Sequence, residues 1–168
     1  MPATSSASLT LTLPSDREIQ VTRIFDAPRD LVFKAMTDPN LIPRWWGPRG
    51  VATVVDKMDV RPGGAWRFIH RGPGGDEDAF RGVFREIVPP ERVVQTFEWE
   101  GLPGHISVDT AIFEEVDGKT RLTTTSLFDS VEDRDGMLQA GMEGGLRETW
   151  ERFAELLPEL RRGGTRTA

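Results

Sequence analysis

Apolar residues recur every three or four positions near the end of the chain, at Leu146, Trp150, Phe153, Leu157 and Leu160. That spacing predicts one amphipathic α-helix over about 135–160, with Arg147, Glu148, Glu151, Arg152 and Glu155 mostly on its other face. The first half of the pattern carries Met137, Gly141, Met142, Gly144 and Gly145. Each glycine costs a helix roughly 1 kcal/mol relative to alanine. Either this half is frayed or kinked, or its small side chains leave space for a ligand between the helix and the surface it covers.

Upstream the period changes. Glu18 to Phe25 reads as a first strand, and Asp26-Ala27-Pro28 opens a helix whose buried face is Leu31, Val32, Ala35 and Met36. Asp38-Pro39 stops it. A second short helix through Leu41 and Ile42 leads to Trp45-Trp46-Gly47-Pro48. Strands are then expected near 51–60, 65–71, 79–88, 92–99, 105–115 and 120–128, separated by Gly- or Pro-bearing breaks. Links this short require antiparallel pairing. Leu9, Leu11 and Leu13 alternate with threonine and form either an edge strand or part of a tail. The pattern gives one domain over 16–160, between a flexible segment at 1–15 and a flexible tail at 161–168.

Side-chain parity goes further. Ala52, Val54, Met58 and Val60 share one face of their strand, Trp66 and Phe68 one face of the next, and Phe80 and Phe84 one face of the third. Lys57, Asp59, Arg67, Arg71, Arg81 and Arg85 fall on the opposite faces, so even positions are expected to face the helix. Asp56, His70 and Glu86 then land among the apolar residues. A three-residue loop of Pro62, Gly63 and Gly64 would set Val60 opposite Trp66, Met58 opposite Phe68 and Asp56 opposite His70. The expected Asp56–His70 pair is either a satisfied structural contact or a group that holds a ligand's polar end or acts as a base.

Composition narrows the function. The 168 residues carry a formal charge of −6, from 21 basic and 27 acidic side chains. That balance argues against a nucleic-acid partner, whose phosphates select basic surfaces. Absence of cysteine removes disulfide and thiolate chemistry and fits the cytoplasm. No apolar run is long enough for membrane insertion, and the N-terminus lacks a secretory pattern. Two histidines with no His-x-x-x-His or Glu-x-x-His spacing give no metal site, and no other cofactor is implied. His105, beside a glycine-rich turn, is expected to be exposed. Trp45 and Trp46 are adjacent, so only one is expected to face inward.

Several short motifs occur in a set order: Arg17-Glu18-Ile19, Asp26-Ala27-Pro28, Thr37-Asp38-Pro39, Trp45-Trp46-Gly47-Pro48, Asp59 to Gly64, Trp66-Arg67-Phe68, Pro89-Pro90-Glu91-Arg92 and Thr96-Phe97-Glu98-Trp99. Over roughly residues 16–158 the chain resembles the SRPBCC (START-like, Bet v 1-like) superfamily. Within it the chain is most similar to the bacterial proteins named for the activator of Hsp90 ATPase. The resemblance implies an α+β helix-grip fold: a curved antiparallel sheet wrapped around a long C-terminal helix, with two short helices after the first strand. Pro28, Trp45, Trp46, Gly63, Gly64 and Trp99 would mark that fold, and no catalytic residue transfers. It also implies a cavity for a small hydrophobic or amphipathic molecule. The candidate ligand-binding residues are Trp46, Asp56, Met58, Trp66, Phe68, His70, Phe84, Phe97, Trp99, Met137, Met142 and Leu146, with core packing the alternative for each. A protein-interaction role toward an Hsp90-type chaperone is the second reading. A hydrolase or cyclase using His70 and Asp56 is the third. A homodimer is a further expectation from the family.

Overall fold

The computed structural model describes residues 9–166. The expected flexible residues 1–8 lie outside that range. In chain order the elements are β1 (Thr10–Thr12), β2 (Glu18–Phe25), α1 (Arg29–Thr37), a 3-10 turn (Ile42–Arg44), β3 (Ala52–Met58), β4 (Ala65–Arg71), β5 (Glu77–Val88), β6 (Arg92–Trp99), β7 (Ile106–Val116), β8 (Lys119–Phe128), α2 (Val131–Gln139) and α3 (Met142–Arg166). One antiparallel sheet runs β1-β2-β8-β7-β6-β5-β4-β3. α3 lies against its concave face, which makes this the helix-grip α+β fold. β1 pairs with β2 and Leu9 just before it is buried, so Thr10–Thr12 belong to the sheet and Leu9 to the core. α3 continues to Arg166, into the stretch expected to be a tail.

The hydrophobic effect fixes α3 through its middle. Trp150, Phe153, Leu156 and Leu157 are buried, and Trp150 stacks on Trp45 with ring centroids 5.6 Å apart. Phe25 meets Phe153 edge-on at 5.0 Å. Trp45 satisfies its indole N–H on the Ala35 carbonyl at 3.0 Å, as buried indoles usually do. The single helix expected over 135–160 is two helices. Gly141 breaks it at φ +82°, a left-handed conformation that glycine adopts without the Cβ clash of other residues. Ser130 caps α2 by accepting from the Asp133 N–H at 3.0 Å, yet α2 buries none of its residues.

The expected β3–β4 register needs correction. Met58 pairs with Trp66, Val55 with Phe68 and Thr53 with His70. A bulge between Val55 and Lys57 absorbs Asp56 and reverses side-chain parity. Thr53 is therefore buried where Ala52 and Val54 were expected to be. The loop is also longer than three residues, because β3 ends at Met58 and Gly63 and Gly64 exchange hydrogen bonds with Phe84. Asp56 is exposed and accepts from Arg67 at 3.3 Å. The Asp56–His70 pair does not form. Glu86 repeats this at a second bulge, between Phe84 and Glu86, and pairs with Arg92 in solvent.

Candidate functional site

Concave-facing side chains of β6, β7 and β8 stand in three transverse rows. Phe97, Ser107 and Phe128 make one, Gln95, Asp109 and Ser126 the next, and Val93, Ala111 and Thr124 the third. Directly opposed residues bring their Cβ atoms to roughly 4.5–5.5 Å. The middle row is polar in an apolar bowl. Ser107 Oγ donates to Asp109 Oδ1 at 3.1 Å, and the Ser126 hydroxyl also bonds this carboxylate.

Above the rows, α3 turns Met142, Gly145, Leu146 and Thr149 toward the sheet, and α2 contributes Met137. Between them lies a cavity of about 430 Å³, within the range of ligand sites. Trp45, Trp46, Trp66, His70 and Phe80 close one end. Both adjacent tryptophans line it, against the expectation that only one could. The 3-10 turn lets Trp45 pack on α3 while Trp46 lies over Phe68, His70 and Phe80. Arg152 of α3 holds this wall, donating to the carbonyls of Gly47 at 2.9 Å and Arg44 at 3.1 Å.

Among the described residues, two titratable side chains line the cavity. Burial pushes the Asp109 carboxyl up to about 6, against the opposing hydrogen bonds from Ser126 and Ser107. Burial likewise holds the His70 imidazole below its usual value; the Asp78 carboxylate across the strand opposes that shift and the Arg152 charge adds to it. The His70 ring sits 4.8 Å from Trp46 and 4.9 Å from Phe80, and its Nε2 is buried with no partner among the described residues.

Of the candidates drawn from sequence, Trp46, Trp66, His70, Phe97, Met137, Met142 and Leu146 line the cavity. Met58, Phe68 and Phe84 pack in or against the core instead. Trp99 shares the parity of its partner Phe80 but lies past the rim, 41% exposed, with its indole donating to Asp78 at 3.2 Å. Asp56 is outside on the convex face. His105 is also outside, with Nδ1 2.7 Å from Asp133 Oδ1.

Sequence reasoning missed Gln95, Ser107, Asp109, Thr124 and Ser126. In β7, Val108 and Ile112 look like the inward set, whereas the inward residues are Ser107, Asp109, Ala111 and Phe113. A carboxylate in the first half of a strand, flanked by Val108 and Thr110, was the available signal. Among the described residues no cluster of three or more His, Cys, Asp or Glu could hold a metal, and no helix is long and apolar enough to cross a membrane.

Residues 26–158 match the family model described as Activator of Hsp90 ATPase homolog 1-like protein. The chain belongs to this family. No curated protein matches it in sequence. Among solved structures, the protein of this family resembles one from Arthrobacter aurescens at 25% identity and TM-score 0.82, covering 89% of this chain and 91% of that one. A Rhodobacter sphaeroides protein shows the same fold at 22% identity and TM-score 0.85, over 90% and 99%. CalU16 from Micromonospora echinospora is similar at 25% identity and TM-score 0.59, over 92% and 87%.

Proposed function

We propose that this family member binds a small hydrophobic or amphipathic molecule between its sheet and α3. The observation that carries this reading is the cavity of about 430 Å³, walled by aromatics and methionines around one polar row. A core built only for stability packs to near-crystalline density and leaves no void of this size. Titration with the neutral dye Nile red tests it. Saturable one-to-one binding is expected, together with a co-purified small molecule in native mass spectra of protein taken from cells. Absence of both would overturn the reading.

Contact with an Hsp90-type chaperone is a second reading. It is favoured by the family description and by Leu102, Ile106, Leu127 and Val131, which stay 37–50% exposed. A chaperone ATPase rate unchanged by saturating protein would remove it. Catalysis by His70 with Asp56 loses its basis, since the two side chains lie on opposite faces of the sheet.

A further inference from the structure

We infer that the cavity selects a molecule with an apolar body and a protonated amine head, and that the Asp109 carboxylate receives the amine. This rests on the ligand-binding reading above and adds the head group to it.

The charge inventory of the cavity is the first argument. Among the described residues lining it, only Asp109 and His70 titrate, and no lysine or arginine is present. Arg23 is buried on the same concave face but packs over Phe25 at 5.0 Å, away from the lining. An anionic head would meet the Asp109 carboxylate with no cation to offset it, and burying an unpaired charge is expensive. Asp109's neighbours in the adjoining strands are Gln95 on β6 and Ser126 on β8, and the helices contribute Met137, Met142, Leu146 and Thr149 to the same cavity; none is charged. His70, at the cavity's tryptophan end, is held toward its neutral form by burial.

Unused bonding capacity is the second. An ionised carboxylate accepts about four hydrogen bonds. Ser107 and Ser126 supply two, which orient the group without neutralising it. Among the described residues lining the cavity none is a counter-ion, and the carboxyl borders open space. A role confined to the fold would place the partner within the protein. An ammonium group supplies charge and donors together, and the aromatic ring of Phe97 stands in the row next to Asp109.

The test is competition against Nile red, below micelle-forming concentrations, by octylamine, octanol and octanoate. At pH 7.5 octylamine is expected to bind roughly ten- to hundredfold tighter than octanoate, the range for a charged hydrogen bond. Its advantage over octanol should shrink at pH 5, where Asp109 takes up a proton while octylamine stays charged and octanol stays neutral. Asp109→Asn should abolish the amine preference and leave octanol within a few fold. The pH comparison needs no variant and decides the matter even if Asp109→Asn fails to fold. Octanoate binding as tightly as octylamine, or amine preference surviving in Asp109→Asn, overturns the inference. If Nile red binds and the three octyl probes do not differ, the head-group assignment falls while cavity binding stands. If neither the dye nor any octyl probe binds, both fall.

Discussion

Replacing Asp109 by asparagine should make the protein more stable at neutral pH. A carboxyl moved from 3.8 to about 6 holds its proton more tightly in the folded state than in the unfolded chain. The resulting stabilisation is fully present below 3.8 and is lost as pH rises through 6. Between those limits wild type loses about 3 kcal/mol at this one site, since each unit is worth 1.36 kcal/mol. Water entering the cavity lowers that ceiling, so about 2 kcal/mol is the working figure. The amide keeps the size of the carboxyl and can still accept from Ser107 and Ser126, but carries no charge. Urea unfolding followed by tryptophan fluorescence, on both proteins at pH 4 and pH 7.5, isolates the site because every other titration cancels in the difference. The variant should match wild type at pH 4 and exceed it by about 2 kcal/mol at pH 7.5, or about 4–8 °C in Tm. An offset that is the same at both pH values would refute the buried charge. A substitution that stabilises the fold while abolishing amine binding would mark Asp109 as a residue kept for function.

Other expectations follow from packing. Gly82→Ala should cost more than about 3 kcal/mol or prevent folding, because its Cβ would lie 1.9 Å from the Thr96 carbonyl oxygen and 2.6 Å from Trp66 Nε1; chemical denaturation measures this. Trp150→Ala should lose about 3–5 kcal/mol by the same assay, since the ring is 5% exposed between Trp45, Phe25 and Phe153. Asp56→Ala should change stability by less than about 1 kcal/mol, as expected for an exposed ion pair; a larger loss would contradict its placement outside the core.

The fold was legible because its signals were local and repeated. The breaks between successive strands from β3 to β8 each carry Gly or Pro, and approximate strand bounds follow from those. The site was less legible, for a reason visible at Asp56 and Glu86. Parity extrapolates only while the ladder is regular, and both carboxylates sit at β-bulges that turn them out to solvent. Parity had placed both on an apolar face, Asp56 opposite His70 and Glu86 with no partner, and a carboxylate among apolar residues was itself the trace of the bulge. Asp109 presents the opposite case. Its strand is regular, but small polar residues point inward and Val108 and Ile112 outward, so hydropathy alone selects the wrong face. Only the pairing of β7 between β6 and β8 resolves it, and pairing is a long-range property.

Stability and cavity are separated along α3, and Gly145 tests that division. Phe153, Leu156 and Leu157 anchor the helix, Met142, Gly145, Leu146 and Thr149 toward its N-terminus border the void, and Trp150 at the boundary is buried and also lines it. A Cβ on Gly145 would meet nothing within 4 Å, so no close contact requires glycine there. Its φ is not left-handed either, unlike that of Gly141. Gly145→Ala should therefore stabilise the helix by about 0.5–1 kcal/mol, the propensity difference, in thermal or urea unfolding. Gly145→Leu adds side chain into the void and should retain that gain while weakening Nile red binding at least tenfold. Undiminished dye affinity in the leucine variant would place the bound molecule elsewhere. If alanine destabilises, the helix backbone at Gly145 must be doing something other than leaving room. If both substitutions behave as expected, the glycine gives up helix stability to keep open the space beside Asp109.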